Sequence, residues 1–210
     1  AVDVSASKDF GGRGQSKREL AAEVAALFAF SAVGNQDKVG LMLFSDQVEL
    51  LLAPRKGSTH CLRIVREILY CEPEGKGTDI AGALGRLTRN LPRRCLVLLI
   101  SDFMAEGFAH ALKVAAVRHD VVAVQISDPA EEELPDAGWL RFEDPESGEL
   151  LQVDTGSRRV RDNYRKLRAD WQANLDAIFR SAAVDRIDIR TDTNYQAALH
   201  GFFKRRAARR

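Results

Sequence analysis

The sequence predicts an α/β fold with a mainly parallel sheet and helices on both faces. Cys95 to Ile100 is an unbroken apolar run, and Val121 to Ile126 is apolar but for Gln125, the composition of parallel strands covered on both sides. Around them lie segments whose apolar residues recur at steps of three and four, so strands and helices alternate in a β-α-β rhythm. The third observation is the placing of two acids: Asp3 follows Ala1-Val2, and Asp102 follows Ile100-Ser101, each at the carboxyl end of an expected strand. In open α/β sheets ligands bind outside those ends, where the strand order reverses.

In chain order, Phe10 to Gly14 reads as a glycine-rich loop, and Ser16 with Glu19 forms a capping box for a helix carrying Leu20, Val24, Leu27, Phe28 and Ser31, stopped at Gly34-Asn35. Lys38 to Phe44 and Gln47 to Leu52 are two strands joined at Ser45-Asp46, the second an antiparallel edge strand ended by Pro54. Ser58 opens a helix with an apolar face of Leu62, Val65, Ile68 and Leu69, broken at Pro73-Glu74-Gly75. The next helix uses Ile80, Leu84, Leu87 and Leu91, and another carries Phe108, Leu112 and Ala116. Trp139 to Phe142 and Glu149 to Val153, joined by Asp144 to Gly148, form a small appended hairpin. Val160, Tyr164, Leu167, Trp171, Leu175 and Ile178 then mark a long amphipathic helix, Asp185 to Arg190 a last edge strand, and Tyr195, Leu199 and Phe202 a terminal helix. The expected sheet therefore has six strands, with one antiparallel edge strand.

A chain of 210 residues with 45% hydrophobic content can bury one sizeable core, and a single domain over 1–210 is expected. Its 31 Lys and Arg against 30 Asp and Glu imply no nucleic-acid groove. The basic end, Lys204 to Arg210, reads as a solvated helix terminus. Cys61, Cys71 and Cys95 lack a C-x-x-C pattern and read as reduced structural thiols of a cytoplasmic protein. No apolar run approaches the roughly 18 to 20 residues of a membrane span. Only two residues precede Asp3, so the parent protein is expected to continue upstream, where an anchor could lie and where added residues would lengthen and stabilise the first strand.

Asp3-Val4-Ser5-Ala6-Ser7 carries the most chemistry. In an extended segment the Asp3, Ser5 and Ser7 side chains fall on one side, giving a carboxylate and two hydroxyls of the kind hard cations prefer. The same pattern also reads as an ordinary Ser/Asp turn. Gly75-Lys76-Gly77-Thr78-Asp79 lets backbone approach closely, and Thr78 can cap the following helix or turn toward a metal. A Walker phosphate loop is absent, and His60, His110, His119 and His200 have no zinc-ligand spacing.

DVSAS, GTD and ISDF, in that order on those elements, resemble the metal-ion-dependent adhesion site of von Willebrand factor A-like (Rossmann-like) domains. KVGLMLFSDQVELLLAPRKGSTH, RHDVVAVQISDPAEEELPDAG and DPESGELLQVDT further resemble the bacterial family called domain of unknown function 58, over nearly the whole chain. The resemblance implies Asp3, Ser5, Ser7, Thr78 and Asp102 as metal ligands, with Mg²⁺, or Mn²⁺ or Ca²⁺, as the ion. It also implies a MoxR-type AAA+ ATPase as partner in assembly or chaperone-like remodelling. The expectation is a binding module, not an enzyme, in which the cation takes a Glu or Asp carboxylate from a protein partner. The competing expectation is a metal-dependent phosphohydrolase on the same aspartates, with Asp79 as the spare acid.

Overall fold

The computed structural model describes residues 1–5, 15–143 and 148–207. The expected loop from Phe10 to Gly14, most of the hairpin turn after Asp144, and Arg209-Arg210 lie outside the described residues.

The strands are β1 (Val2–Asp3), β2 (Val39–Phe44), β3 (Val48–Arg55), β4 (Leu96–Ser101), β5 (Asp120–Ser127) and β8 (Asp185–Arg190), in the order β3-β2-β1-β4-β5-β8, with a separate hairpin of β6 (Trp139–Glu143) and β7 (Leu150–Asp154). Only β3 runs antiparallel in the main sheet. From β1 the chain moves outward to β2 and β3 on one side, then returns to build β4, β5 and β8 on the other. The order therefore reverses between β1 and β4, and it is outside the carboxyl ends at such a switch point that open α/β sheets bind ligands.

Strand side chains alternate between two cores because their period is two. Val2, Leu41, Leu43, Ile100, Val122, Val124 and Ile187 face α1 (Lys17–Gly34), α2 (Ser58–Tyr70) and α6 (Tyr195–Ala207). Met42, Phe44, Val97, Leu99, Val121 and Ala123 face α3 (Ile80–Asn90), α4 (Ala109–Arg118) and α5 (Arg158–Ser181). No helix among the described residues is long and apolar enough to cross a membrane.

The structure moves three local expectations. Pro54 does not end β3 but sits within it, tolerated because an edge strand leaves the missing N–H facing no neighbour. The inward face of α2 is Cys61, Ile64 and Ile68, whereas Leu62 is 59% exposed: packing against α1 turns the helix about one position from the stripe expected. In α5 only Leu175 and Phe179 are buried and Leu167 is 60% exposed, so the inward face of this helix is confined to its carboxyl-terminal half.

The capping box of α1 is present: the Ser16 hydroxyl accepts from the Glu19 N–H, and the Glu19 carboxylate accepts from the Ser16 N–H. Ser16→Ala is expected to cost about 1 kcal/mol and to lower the melting temperature by roughly 2–4 °C, as thermal denaturation followed by circular dichroism would report.

Candidate functional site

Asp3 and Ser101 point to the same side of the sheet, since both alternate with residues of the opposite core, Val2 and Ile100. The Ser101 hydroxyl donates to Asp3 Oδ2 at 2.6 Å and accepts from the Phe103 N–H at 2.9 Å. One hydroxyl thus ties the end of β1 to the end of β4. β1 stops at Asp3, and the chain bends at Ser5, whose N–H donates to Asp3 Oδ1 at 3.0 Å. The loop begins as a local aspartate turn and not as a continued extended segment, because the Asp3 side chain offers an acceptor to its own backbone two residues on. Asp3 is 2% exposed, and Ser5 is fully buried.

Asp102 follows directly, 4% exposed, with Oδ1 accepting from the Met104 N–H at 3.1 Å. Phe103 takes a left-handed φ of 61°, uncommon for a bulky residue, and it is held there by these two side-chain bonds and by its ring against Phe108 and Phe179. The turn therefore aims the Asp102 carboxylate while burying the aromatic beside it.

Thr78 lies on the loop before α3, and the Asp79 N–H donates to the Ser45 carbonyl at 2.8 Å, which fastens that loop to the end of β2. The cap of α3 is Asp79, whose Oδ1 accepts from the Gly82 N–H at 2.8 Å. Thr78 is displaced from the capping role by one residue, since the carboxylate one position later reaches the first-turn amides. Upstream, Glu49 on β3 accepts from the Gly75 N–H at 2.9 Å, the Glu74 N–H at 3.2 Å and the Ser45 hydroxyl. A Cβ on Gly75 would meet Asp46 Oδ1 at 1.9 Å and Ser45 Oγ at 2.2 Å, so any side chain there would displace the buried Ser45 hydroxyl and the Asp46 carboxylate.

The described residues thus bring Asp3, Ser5 and Asp102 to adjoining strand ends and set Thr78 on the loop beside them; Ser7 lies outside the described residues. The donors are carboxylate and hydroxyl oxygens, the set that hard divalent cations favour. Among the described residues no group of three or more His, Cys, Asp and Glu could hold a metal, so a cation here would need hydroxyls and water to complete its shell.

Lys17 is the residue the sequence reading missed. Its ammonium donates to Asp102 Oδ2 at 3.1 Å and to Glu131 Oε1, and the side chain is 1% exposed. The capping box just before it marked the helix start, but nothing local signals a partner 85 or 114 residues away. The three thiols are raised above their ordinary range, chiefly by burial, and Cys95 lies 3.6 Å from His119 at the opposite, amino ends of β4 and β5.

Burial pushes the Glu49 carboxyl up, but hydrogen bonds from Ser45, Gly75, Glu74 and Gln47 outweigh it and the net pKa lies below the ordinary value. A carboxyl whose folded pKa is depressed adds stability above its unfolded pKa and loses it as pH falls through the folded one. Glu49→Gln is expected to cost roughly 1–2 kcal/mol near neutral pH. The gap from wild type should close as pH drops below the usual glutamate range, and a gap constant from pH 7 to pH 3 in thermal melts would contradict the clamp.

The sequence profile described as "Protein of unknown function DUF58" matches residues 1–174. The chain is 30% identical over 204 residues to the uncharacterized protein Rv1480 of Mycobacterium tuberculosis, covering 96% of this chain and 64% of that protein. It therefore spans just under two thirds of that relative's length. To the uncharacterized protein MAV169 of Mycobacterium avium it is 33% identical over 135 residues, 64% of this chain and 79% of that one. The fold is similar to the crystal structure of the conserved hypothetical protein BatB from Bacteroides thetaiotaomicron, with a TM-score of 0.63 at 18% identity, covering 99% of this chain and 96% of that chain. With the match running through both strand ends that build the site and on into α5, the chain belongs to the DUF58 family.

Proposed function

We propose that the chain is a von Willebrand factor A-like binding module. It holds a divalent cation, Mg²⁺ or alternatively Mn²⁺ or Ca²⁺, through Asp3, Ser5, Ser7, Thr78 and Asp102, and presents it to a Glu or Asp carboxylate of a protein partner. The observation that carries this reading is the clasp of Asp3 by Ser101 beside Asp102, which puts two carboxylates at adjoining strand ends where the strand order reverses. When bound, the cation supplies an electrophilic position that a partner's carboxylate oxygen can fill. The chain's own residues do the rest. Asp3 is oriented by the Ser5 N–H and the Ser101 hydroxyl, and Asp102 by the Met104 N–H and Lys17. The Asp79 to Ser45 bond sets the height of the Thr78 loop. Resemblance to the family adds a MoxR-type AAA+ ATPase as the expected partner. The phosphohydrolase reading is the weaker one, since Asp79, its spare acid, already holds the Gly82 amide as the cap of α3.

The test is thermal melting in EDTA and in millimolar Mg²⁺ for wild type, Asp3→Asn and Thr78→Ala. A ligand present at 100 times its Kd adds about 2.7 kcal/mol to a protein that binds it only when folded, a shift of roughly 5–10 °C at this size. Wild type should shift upward. Asp3→Asn keeps an acceptor for the Ser5 N–H and should melt near wild type in EDTA yet lose the Mg²⁺ shift. Thr78→Ala should weaken the shift without the cost of a lost cap, which Asp79 retains. A full shift in Asp3→Asn would place the ion elsewhere, and Mg²⁺-dependent hydrolysis of p-nitrophenyl phosphate by wild type, lost in Asp3→Asn, would favour the enzyme.

A further inference from the structure

Lys17 is an unusual occupant of a protein interior. It is 1% exposed, although lysines are almost never fully buried unless paired. Its ammonium reaches two carboxylates from distant parts of the chain: Asp102 at the end of β4, and Glu131 in the short 3-10 turn Pro129–Glu131 after β5. Glu131 is itself fixed. Its Oε2 accepts from the Asp128 N–H at 3.4 Å, and its carbonyl accepts from the Tyr164 hydroxyl at 2.7 Å. Asp128 in turn accepts from the Ala130 N–H and the Thr191 hydroxyl.

The charges of this group have a simple consequence. Lys17 brings one positive charge and Glu131 one negative charge to Asp102, so between them they leave the formal charge of the two strand-end aspartates unchanged. Lys17 and Glu131 cancel, yet they are not equivalent: the ammonium touches Asp102, while Glu131 stands behind it.

We propose that Lys17 is a positioning residue of the candidate cation site, a tethered counter-charge that holds the Asp102 carboxylate in place without metal and moderates the site's affinity for a divalent ion. The inference rests on the cation reading above. Neighbouring buried carboxylates repel, and the tethered ammonium gives Asp102 a fixed counter-charge. The same positive charge opposes an arriving divalent cation, and Glu131 offsets that opposition from behind. Metal affinity is then set by two residues that are not among its ligands.

The experiment is isothermal titration of MgCl₂ into wild type, Lys17→Met, Glu131→Gln and the double variant, with EDTA melts in parallel. Lys17→Met makes the set one charge more negative and is expected to bind Mg²⁺ at least about tenfold more tightly. In EDTA it should melt well below wild type, and Mg²⁺ should return more stability to it than to wild type. Glu131→Gln makes the set one charge more positive and should bind at least about threefold more weakly. The double variant restores the original charge and should bind within about threefold of wild type, which keeps the test decisive if Lys17→Met alone fails to fold. A merely structural strut would weaken metal binding in both single variants, so shifts of the same sign, or a double variant far from wild type, overturn the role of Lys17 while leaving the cation site intact. If no protein of the four takes up Mg²⁺, the cation reading fails and this inference with it.

Discussion

A charged group that cannot reach water must find its partners inside, and the Lys17 ammonium is the group for which that constraint binds hardest. Desolvating an ammonium costs several kcal/mol or more, recovered only by well-placed opposite charge. Lys17 meets it with Asp102 and Glu131, and in doing so fixes the relative position of three elements. The amino end of α1, the end of β4 and the turn after β5 cannot move independently without leaving a buried charge exposed to the low dielectric around it. Such a group is weak evidence for overall stability, since a well-packed apolar set of the same volume can do as well. It is strong evidence for a defined geometry, because removing any one member is costly.

That geometry sits at the switch point of the sheet. β2 and β3 lie to one side of β1, and β4, β5 and β8 to the other, so the carboxyl ends of β1 and β4 adjoin where the strand order reverses. The hydroxyl of Ser101 then ties Asp3 to the end of β4, and the Asp79 to Ser45 bond fastens the Thr78 loop to the end of β2. Sheet order supplies the space, and a handful of side-chain bonds decides which oxygens face it.

Much of this was legible in sequence because it depends on local patterns. Buried parallel strands need apolar residues on both faces, so the runs Cys95 to Ile100 and Val121 to Ile126 marked β4 and β5, and the capping box at Ser16 and Glu19 placed the start of α1. The site acids were visible because Asp3 ends β1 and Asp102 follows β4. What stayed hidden depends on contacts between distant segments. The face of α2 is chosen by α1, and its periodicity allowed a neighbouring stripe. Thr78 and Asp79 are both fair caps, and only the backbone path shows that the carboxylate reaches the Gly82 amide. Lys17 reads as an ordinary cation at the start of a helix, where the dipole would if anything disfavour it, until the fold brings Asp102 and Glu131 to its end.

One device recurs around the candidate site. Asp3 accepts from the Ser5 amide, Asp102 from Met104, Asp128 from Ala130, Asp79 from Gly82, and Glu49 from Gly75 and Glu74. Each carboxylate holds a backbone N–H of its own turn or of a neighbouring loop, and so the acids that could meet a ligand are also the acids that shape the loops presenting it. A carboxylate fixed in this way has lost most of its rotamer freedom before any ligand arrives, which lowers the ordering cost of binding. The same economy constrains substitution. An alanine at any of these positions removes a charge and frees a loop together, so the two effects separate only in amide variants, which keep the acceptor for the backbone and discard the charge.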